Sequence, residues 1–404
     1  MTQRPAAMIL KRFPKQRYTS MFNPHSGFFA RVEDVGMPEP FWAEHGPELL
    51  DIAITNWCDR GCSLCYRKSD ETGRHMGVED YREVIRQAQA MHAFQVALGG
   101  GNPNQHPDFV AILRLTREDY GIVPNYTTNG RGLTDEVLEA TRRCCGAVAV
   151  SAYAPYRETA DAIERLVARG ITTNVHFILS SRSIDTAIAW LQEPPTFLAR
   201  AHALVFLNYK PVGRYSDERL LPNRSPRLEE FFRLASTVRH LWRIGFDTCT
   251  ITGLARFGDA HDVSLEGCDA GRFSLFVSED LKVYPCSFMV EAGYEGVPLR
   301  GTTLREIWQQ HPAFARIRAQ HAAGGCADCR APSHCLAGCP LFPQMNLCPG
   351  NCCTSSSRAM EASSTPSCEN HRVVDVRRAA GRSALLKKAR HSPTLRQECD
   401  ESCD

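Results

Sequence analysis

From Leu49 onward the chain alternates between two hydrophobic textures. Short apolar runs that end in polar or glycine residues predict strands at LLDIAIT (49–55), FQVALGG (94–100), IVPNYTT (122–128), GAVAVSAY (146–153), ITTNVHFIL (171–179) and ALVFLNYK (203–210). Between them, apolar residues recur at helical spacing over 78–92, 134–144, 155–169 and 227–244. A further strand-like run, FDTCTI (246–251), follows. Strand–helix alternation of this kind means βαβ units and a parallel sheet. Six units within about 160 residues are too few for a closed eight-stranded barrel of ~250 residues. The pattern therefore predicts an α/β protein with a partial, open (β/α)6 TIM-like barrel.

The flanks differ in texture. Residues 1–47 are rich in proline, aromatic and basic residues and read as an irregular arm or short hairpin packed on the body. The barrel is expected over 48–245. A cysteine-rich unit follows over 246–353, with one helical segment at 303–320. Residues 354–404 turn serine-rich and then basic, which predicts a partly disordered tail with one short helix. No internal repeat is visible beyond the βα alternation.

Composition narrows the class. A chain of 404 residues is long enough to bury a sizeable core, and a net charge of +2 points to neither nucleic acid nor membrane. No run reaches the ~18 apolar residues of a spanning helix. The opening residues lack the apolar stretch of a secretory signal, so a cytoplasmic location is expected. Eighteen cysteines are then the unusual feature. Disulfide frameworks belong mainly to small secreted domains, whereas clustered thiols in a reducing compartment favour metal or iron–sulfur ligation.

The first cluster is NWCDRGCSLCYRK (56–68), which spaces Cys58, Cys62 and Cys65 as C-x3-C-x2-C, followed by Tyr66. It lies just after the first barrel strand, at the end that carries chemistry in parallel barrels. A structural zinc site wants four protein ligands, and the nearest further candidate, His75, is ten residues beyond Cys65. A [4Fe–4S] cluster on three thiolates leaves one iron open to a small molecule. This motif in this place resembles the radical S-adenosylmethionine (SAM) family. The resemblance implies that SAM chelates the open iron and is cleaved by one electron to a 5′-deoxyadenosyl radical. It also implies a SAM site at LGGGNP (98–103), formed by Gly99, Gly100, Gly101 and Asn102, although Asn102 stands where the family often has Glu. Thr128, Asn129 and Ser151 would face that pocket from the next strand ends, and Tyr66 would pack near the adenine.

The second cluster lies far along the chain. CADCRAPSHCLAGC places Cys326, Cys329, Cys335 and Cys339, with Cys268 and Cys286 upstream. This run resembles the SPASM-type auxiliary domain of radical SAM enzymes, except that Leu281 stands where the pattern commonly has the glycine of an Asp-Gly turn, a departure that bears on the expected turn and not on the ligands. The resemblance implies two interleaved [4Fe–4S] clusters. One would take Cys268, Cys286 and Cys339, with Cys249 as fourth ligand. The other would take Cys326, Cys329, Cys335 and Cys348, with Cys352 and Cys353 as competitors for the last place. A zinc ribbon on the same thiols is the alternative. Cys144 and Cys145 read as core filling; Cys368, Cys399 and Cys403 have no evident partner.

The expected function is therefore a radical SAM oxidoreductase that modifies or cross-links a ribosomally made peptide. Its partners would be a peptide or protein substrate and an external reductant of flavodoxin or ferredoxin type. Only 47 residues precede the barrel, fewer than the winged-helix module that holds leader peptides in such enzymes. Formylglycine-type maturation of a protein, a small-molecule substrate, and a non-catalytic iron–sulfur or zinc scaffold are the competing readings. No acid or base is assigned. His106, His176, Tyr209 and Lys210 are the candidates at strand ends, each read first as a structural hydrogen-bonding group, and Lys210 and Arg214 could instead meet a carboxylate of SAM or substrate.

Overall fold

The computed structural model describes residues 8–258, 266–324, 332–348 and 376–377. The chain opens with an antiparallel sheet of β1 (Ile9–Phe13), β2 (Tyr18–Phe22) and β3 (Phe29–Glu33), more regular than the arm or hairpin expected. Its alternating residues send Tyr18, Phe22 and Phe29 inward, where the last two meet Phe94.

The barrel follows the predicted alternation. Strands β4 (Leu49–Thr55), β5 (Gln95–Gly100), β6 (Val123–Thr128), β7 (Val148–Ser151), β8 (Thr173–Leu179) and β9 (Ala203–Asn208) pair in parallel in sequence order. They alternate with α1 (Val78–Ala90), α2 (Phe109–Arg114), α3 (Asp135–Cys144), α4 (Arg157–Val167), α5 (Ile184–Gln192) and α6 (Leu228–Thr237). The helices close on the sheet through one apolar stripe each; in α3 this is Val137, Leu138, Thr141 and Cys144. Thr134 caps α3 by accepting from Val137 N–H, with Asp135 and Glu136 in the first turn and arginines in the last, as the helix dipole favours.

Two boundaries differ from the sequence expectation. The segment 227–244 is not one helix: α6 ends at Thr237, and Arg243–Phe246 forms β10, a seventh parallel strand paired with β9. FDTCTI is correspondingly not a strand; Thr248–Thr250 make a tight turn into α7 (Ile251–Phe257). Pairing with β9 overrode local periodicity there. Likewise 303–320 divides into α8 (Leu304–Gln310) and α9 (Pro312–Ala322), because Pro312 excludes helical geometry at His311 and starts a new helix itself.

The cysteine-rich part returns to the barrel. β11 (Ser274–Val277) lies parallel beside β4, and β12 (Lys282–Tyr284) and β13 (Val297–Pro298) extend that edge antiparallel. One ten-stranded sheet therefore runs β10-β9-β8-β7-β6-β5-β4-β11-β12-β13, open at both ends. The turn at Leu281 forms without glycine: Leu281 adopts φ +61° and donates to Ser278 C=O at 2.9 Å. The short α10 (Pro332–Cys335) completes the described part of this region, and β14 (Val376–Arg377) pairs with β3. Apart from those two residues, the expected disordered tail lies outside the described residues.

The lower end of the barrel is stopped by the β2–β3 turn. Pro24, His25, Ser26 and Gly27 close a cavity of about 170 Å³ whose walls include Gln95, Asn125, Thr127, Asn174 and His176. A buried ionic group anchors this cap. Arg31, 1% exposed, reaches Glu48 at 3.0 Å, Glu39 at 2.8 Å and Glu266 at 2.9 Å, joining the first sheet, β4 and the cysteine-rich part. Arg31→Met is expected to leave Glu48 buried without its cation and cost about 3–5 kcal/mol, read by denaturant unfolding. A loss under 1 kcal/mol would show that the group does not anchor the cap.

Candidate active site

Cys58, Cys62 and Cys65 occupy the loop after β4, pinned at both ends by backbone. Cys58 N–H donates to Asp70 C=O at 2.9 Å, and Asn56 N–H to Arg74 C=O at 2.8 Å. Gly61 turns the loop at φ +56°. Arg214, offered by the sequence as a carboxylate-binding cation, instead clamps this loop. Its guanidinium donates to Lys68 and Ser69 C=O at 2.9 and 2.8 Å, and its N–H to Cys65 C=O. Gly213 admits the close approach, since a Cβ there would lie 2.4 Å from Cys65 C=O.

The three thiols share one neighbourhood. Burial pushes the Cys62 thiol up from its ordinary range, while Arg60 pulls it down and Cys65 and Cys58 push it up further. Ser69 N–H points at Cys65 Sγ at 3.4 Å and Asn129 Nδ2 at Cys58 Sγ at 3.6 Å. Tyr153 reaches Cys62, with the Arg60 guanidinium 4.6 Å from its ring centre. A rim of charges holds this arrangement: Glu158 pairs with both Arg60 and Arg131, and Arg131 lies 3.7 Å from Asp59. Tyr66 packs on Phe288, ring centres 4.8 Å apart, and burial raises its hydroxyl to about 12.

Strand pleat sorts the residues expected to line a ligand pocket. Gly99 has open space where a Cβ would stand, so a ligand can approach the backbone there. At Gly100 and Gly101 a Cβ would lie 1.9 Å from Thr55 and Trp57 C=O, so these glycines let β5 close against β4. Asn102 and Thr128, each 1% exposed, are turned into the protein. Asn102 Oδ1 accepts from Thr128 Oγ1 at 3.2 Å and Asn129 N–H at 3.0 Å, and its Nδ2 donates to Arg131 C=O. They position Asn129 rather than face the cavity, where Thr127 stands instead because alternate residues take opposite faces. Ser151 keeps the lumen parity, half-buried beside Tyr153.

A second thiol group forms beyond the barrel rim. Cys249 (turn after β10), Cys268, Cys286 (after β12) and Cys339 sense one another's charge inside an apolar enclosure. Burial pushes Cys249, Cys268 and Cys339 each up to about 12 and Cys286 well above its ordinary range. Leu221, Phe342 and Met345 wall one side; Phe276, Tyr284 and Met289 wall the other. Asn346 shapes the Cys339 loop by accepting from Cys339 N–H at 2.9 Å, and Gly338 at φ +77° leaves room for it. Asn208 ties Cys249 C=O to Met345 C=O.

The remaining sequence candidates fall as follows. Cys335 is buried beside Ile251 and Ala255, and Cys348 is half-buried. Cys326, Cys329, Cys352, Cys353, Cys368, Cys399 and Cys403 lie outside the described residues. Cys144 is core, as expected. Among the described residues no cysteine is in a disulfide, and no three His, Cys, Asp or Glu side chains converge as a single-ion site. His106 bonds Met76 C=O and Asp108 N–H, and Tyr209 bonds Tyr215 C=O and Asp217 N–H, so both are structural. Burial lowers His176 to about 4, with Lys210 adding to the effect. Lys210 is not free for a carboxylate ligand; its ammonium pairs with Asp247. Tyr153 and Asp247 went unassigned from sequence, although one sits in the strand end SAY and the other two residues before Cys249.

Comparisons with known proteins agree with this geometry. Residues 52–177 match the Radical SAM superfamily model. The chain is 24% identical over 320 residues to mycofactocin maturase MftC of Mycobacterium tuberculosis, covering 72% of this chain and 78% of the relative. It is 25% identical over 326 residues to the AdoMet-dependent heme synthase of Methanosarcina barkeri, covering 73% and 91%. In fold it resembles Streptococcus suis SuiB bound to its precursor peptide SuiA, with a TM-score of 0.60, 16% identity and coverage of 74% and 72%. Residues 52–177 are thus those of a Radical SAM domain, a family whose cofactors are a [4Fe–4S] cluster and SAM.

Asn102→Ala should strand Asn129 N–H in a buried place, while Arg131 C=O keeps its bond from Asn104 Nδ2. A loss of about 1–3 kcal/mol is expected in unfolding experiments. An unchanged stability would mean that Asn102 does not hold the β6 end.

Proposed function

We propose that this protein is a peptide maturase that uses SAM to oxidatively modify or cross-link a ribosomally made peptide. The observation that carries the reading is the coexistence of two thiol groups of different number on one barrel rim. Three thiols after β4 suit a cluster with one iron left for SAM. Four thiols in a walled, apolar enclosure suit a fully ligated auxiliary cluster. Relatives support the substrate class: MftC is a maturase by name, and SuiB has been seen with a precursor peptide.

In this reading Cys58, Cys62 and Cys65 hold the SAM-binding cluster, and Cys249, Cys268, Cys286 and Cys339 hold the first auxiliary cluster. Cys335 and Cys348, with Cys326 and Cys329, hold a second in a SPASM-type domain. When bound, these groups supply hydrogen abstraction by a 5′-deoxyadenosyl radical and an acceptor for the electron released as the substrate is oxidised. The chain's own part is placement and shielding. Ser69 N–H and Asn129 Nδ2 direct donors at two of the three sulfurs, which moves a cluster's potential upward. Tyr153 and Arg60 cover the third. Gly99 and the lumen face of Ser151 leave the approach to SAM, and the Tyr66–Phe288 contact screens the triad from the side of the second thiol group. A one-electron donor of flavodoxin or ferredoxin type and a cytoplasmic location complete the proposal. Among the described residues no helix is long and apolar enough to cross a membrane.

A second reading, modification of a small molecule, draws on the similarity to a heme synthase. Anaerobic reconstitution with SAM and dithionite should yield 5′-deoxyadenosine, and alanine at Cys58, Cys62 or Cys65 should abolish it while auxiliary iron remains bound. Cleavage surviving any one of these changes would overturn the triad assignment. A mass change in a co-expressed peptide supports the maturase; turnover of a tetrapyrrole with no peptide change would favour the second reading.

A further inference from the structure

A buried ion pair sits against the four-thiol group, and the reaction as proposed gives it no role. Lys210, 8% exposed, leaves the end of β9 and pairs with Asp247 at the end of β10. Cys249 follows Asp247 by two residues and Phe288 follows Cys286 by two, so the ammonium stands beside these thiols and acts on the charge of Cys249, Cys286 and Cys339. The Phe288 ring packs under it, its centre 4.8 Å from Nζ. Asp247 is held from the other side, its Oδ1 accepting from Asn208 N–H at 3.2 Å, and Asn208 in turn grips Cys249 C=O.

The electrostatic consequence is directional. Of the pair, the cation acts on Cys249 more strongly than the carboxylate, whose Oδ1 is occupied by Asn208 N–H. A cluster gains one negative charge on reduction, so a nearby cation favours the reduced form. Burial under Phe288 and the surrounding apolar wall keeps water from screening the effect.

We propose that Lys210 is a positioning residue that raises the reduction potential of the auxiliary cluster on Cys249, Cys268, Cys286 and Cys339, with Asp247 moderating it. The cluster is thereby set to accept the electron released when the substrate radical closes its bond. This inference rests on the proposed assignment of those four thiols.

The test is an EPR-monitored redox titration of full-length protein in which Cys58, Cys62 and Cys65 are alanine, so that only auxiliary signals remain. Lys210→Met should lower the reduced-to-oxidised ratio at a given potential about tenfold, equal to ~59 mV for one electron. Asp247→Asn should move the ratio the opposite way, and Lys210→Arg should stay close to the parent. Retained iron with an unchanged ratio in Lys210→Met, or shifts of the same sign in Lys210→Met and Asp247→Asn, would overturn the inference. If Lys210→Met loses its iron, Asp247→Asn decides alone: a raised ratio supports the inference and an unchanged one overturns it. Parent protein without auxiliary iron would overturn the four-thiol assignment itself.

Discussion

Parallel pairing of Ser274–Val277 with the first barrel strand, Leu49–Ile52, is the contact on which the arrangement depends. It sets the start of the cysteine-rich part beside the strand that delivers Cys58, Cys62 and Cys65. Because β11 runs parallel to β4, the chain beyond it emerges at the same rim as the triad loop. Antiparallel β12 then leads to Cys286, two residues past its end, which joins Cys249 and Cys268. Without this pairing β4 would be an unpaired barrel edge.

Charge is handled differently at the two groups. Around the triad, donors and cations come from several rim elements: Ser69, Asn129 and Arg60, the last braced by Glu158. Around the second group the wall is apolar and the thiols are pushed up by burial. Two cations act on them among the described residues: Lys210 on Cys249 and Cys339, and Arg272 on Cys268, to whose C=O it also donates at 3.1 Å. Phe288 touches both environments, packing on Tyr66 next to Cys65 and on Lys210 next to Cys249. That one side chain, from a turn following Cys286, makes the two groups neighbours through a continuous packed path.

Close backbone approach does as much as any side chain to shape the mouth. Gly101 lets the β5 end lie on Trp57 C=O, and Asn102 then bridges to the β6 end. A glycine run that reads as a ligand loop is thus divided between packing and access, with Gly99 alone facing open space.

The sequence by itself determined the barrel strands, because each is a short apolar run stopped by polar or glycine residues, and pairing in sequence order needs only local crossovers. It determined the triad for a similar reason: Cys58, Cys62 and Cys65 lie on one loop, so their grouping is local. Their expected chemistry came from the resemblance of that motif to the radical SAM family, whose superfamily model matches residues 52–177. The tertiary structure decided what depends on distant partners. Residues 243–246 became a strand because β9 offered an edge, and Thr128 turned away from the lumen because pleat, not polarity, sets its direction. Lys210 and Asp247 are 37 residues apart and met only when adjacent parallel strands placed both at the same end. Cys249 and Cys339, 90 positions apart by their numbers, share an enclosure for that reason too: tertiary packing, not spacing, decides which buried groups face one another.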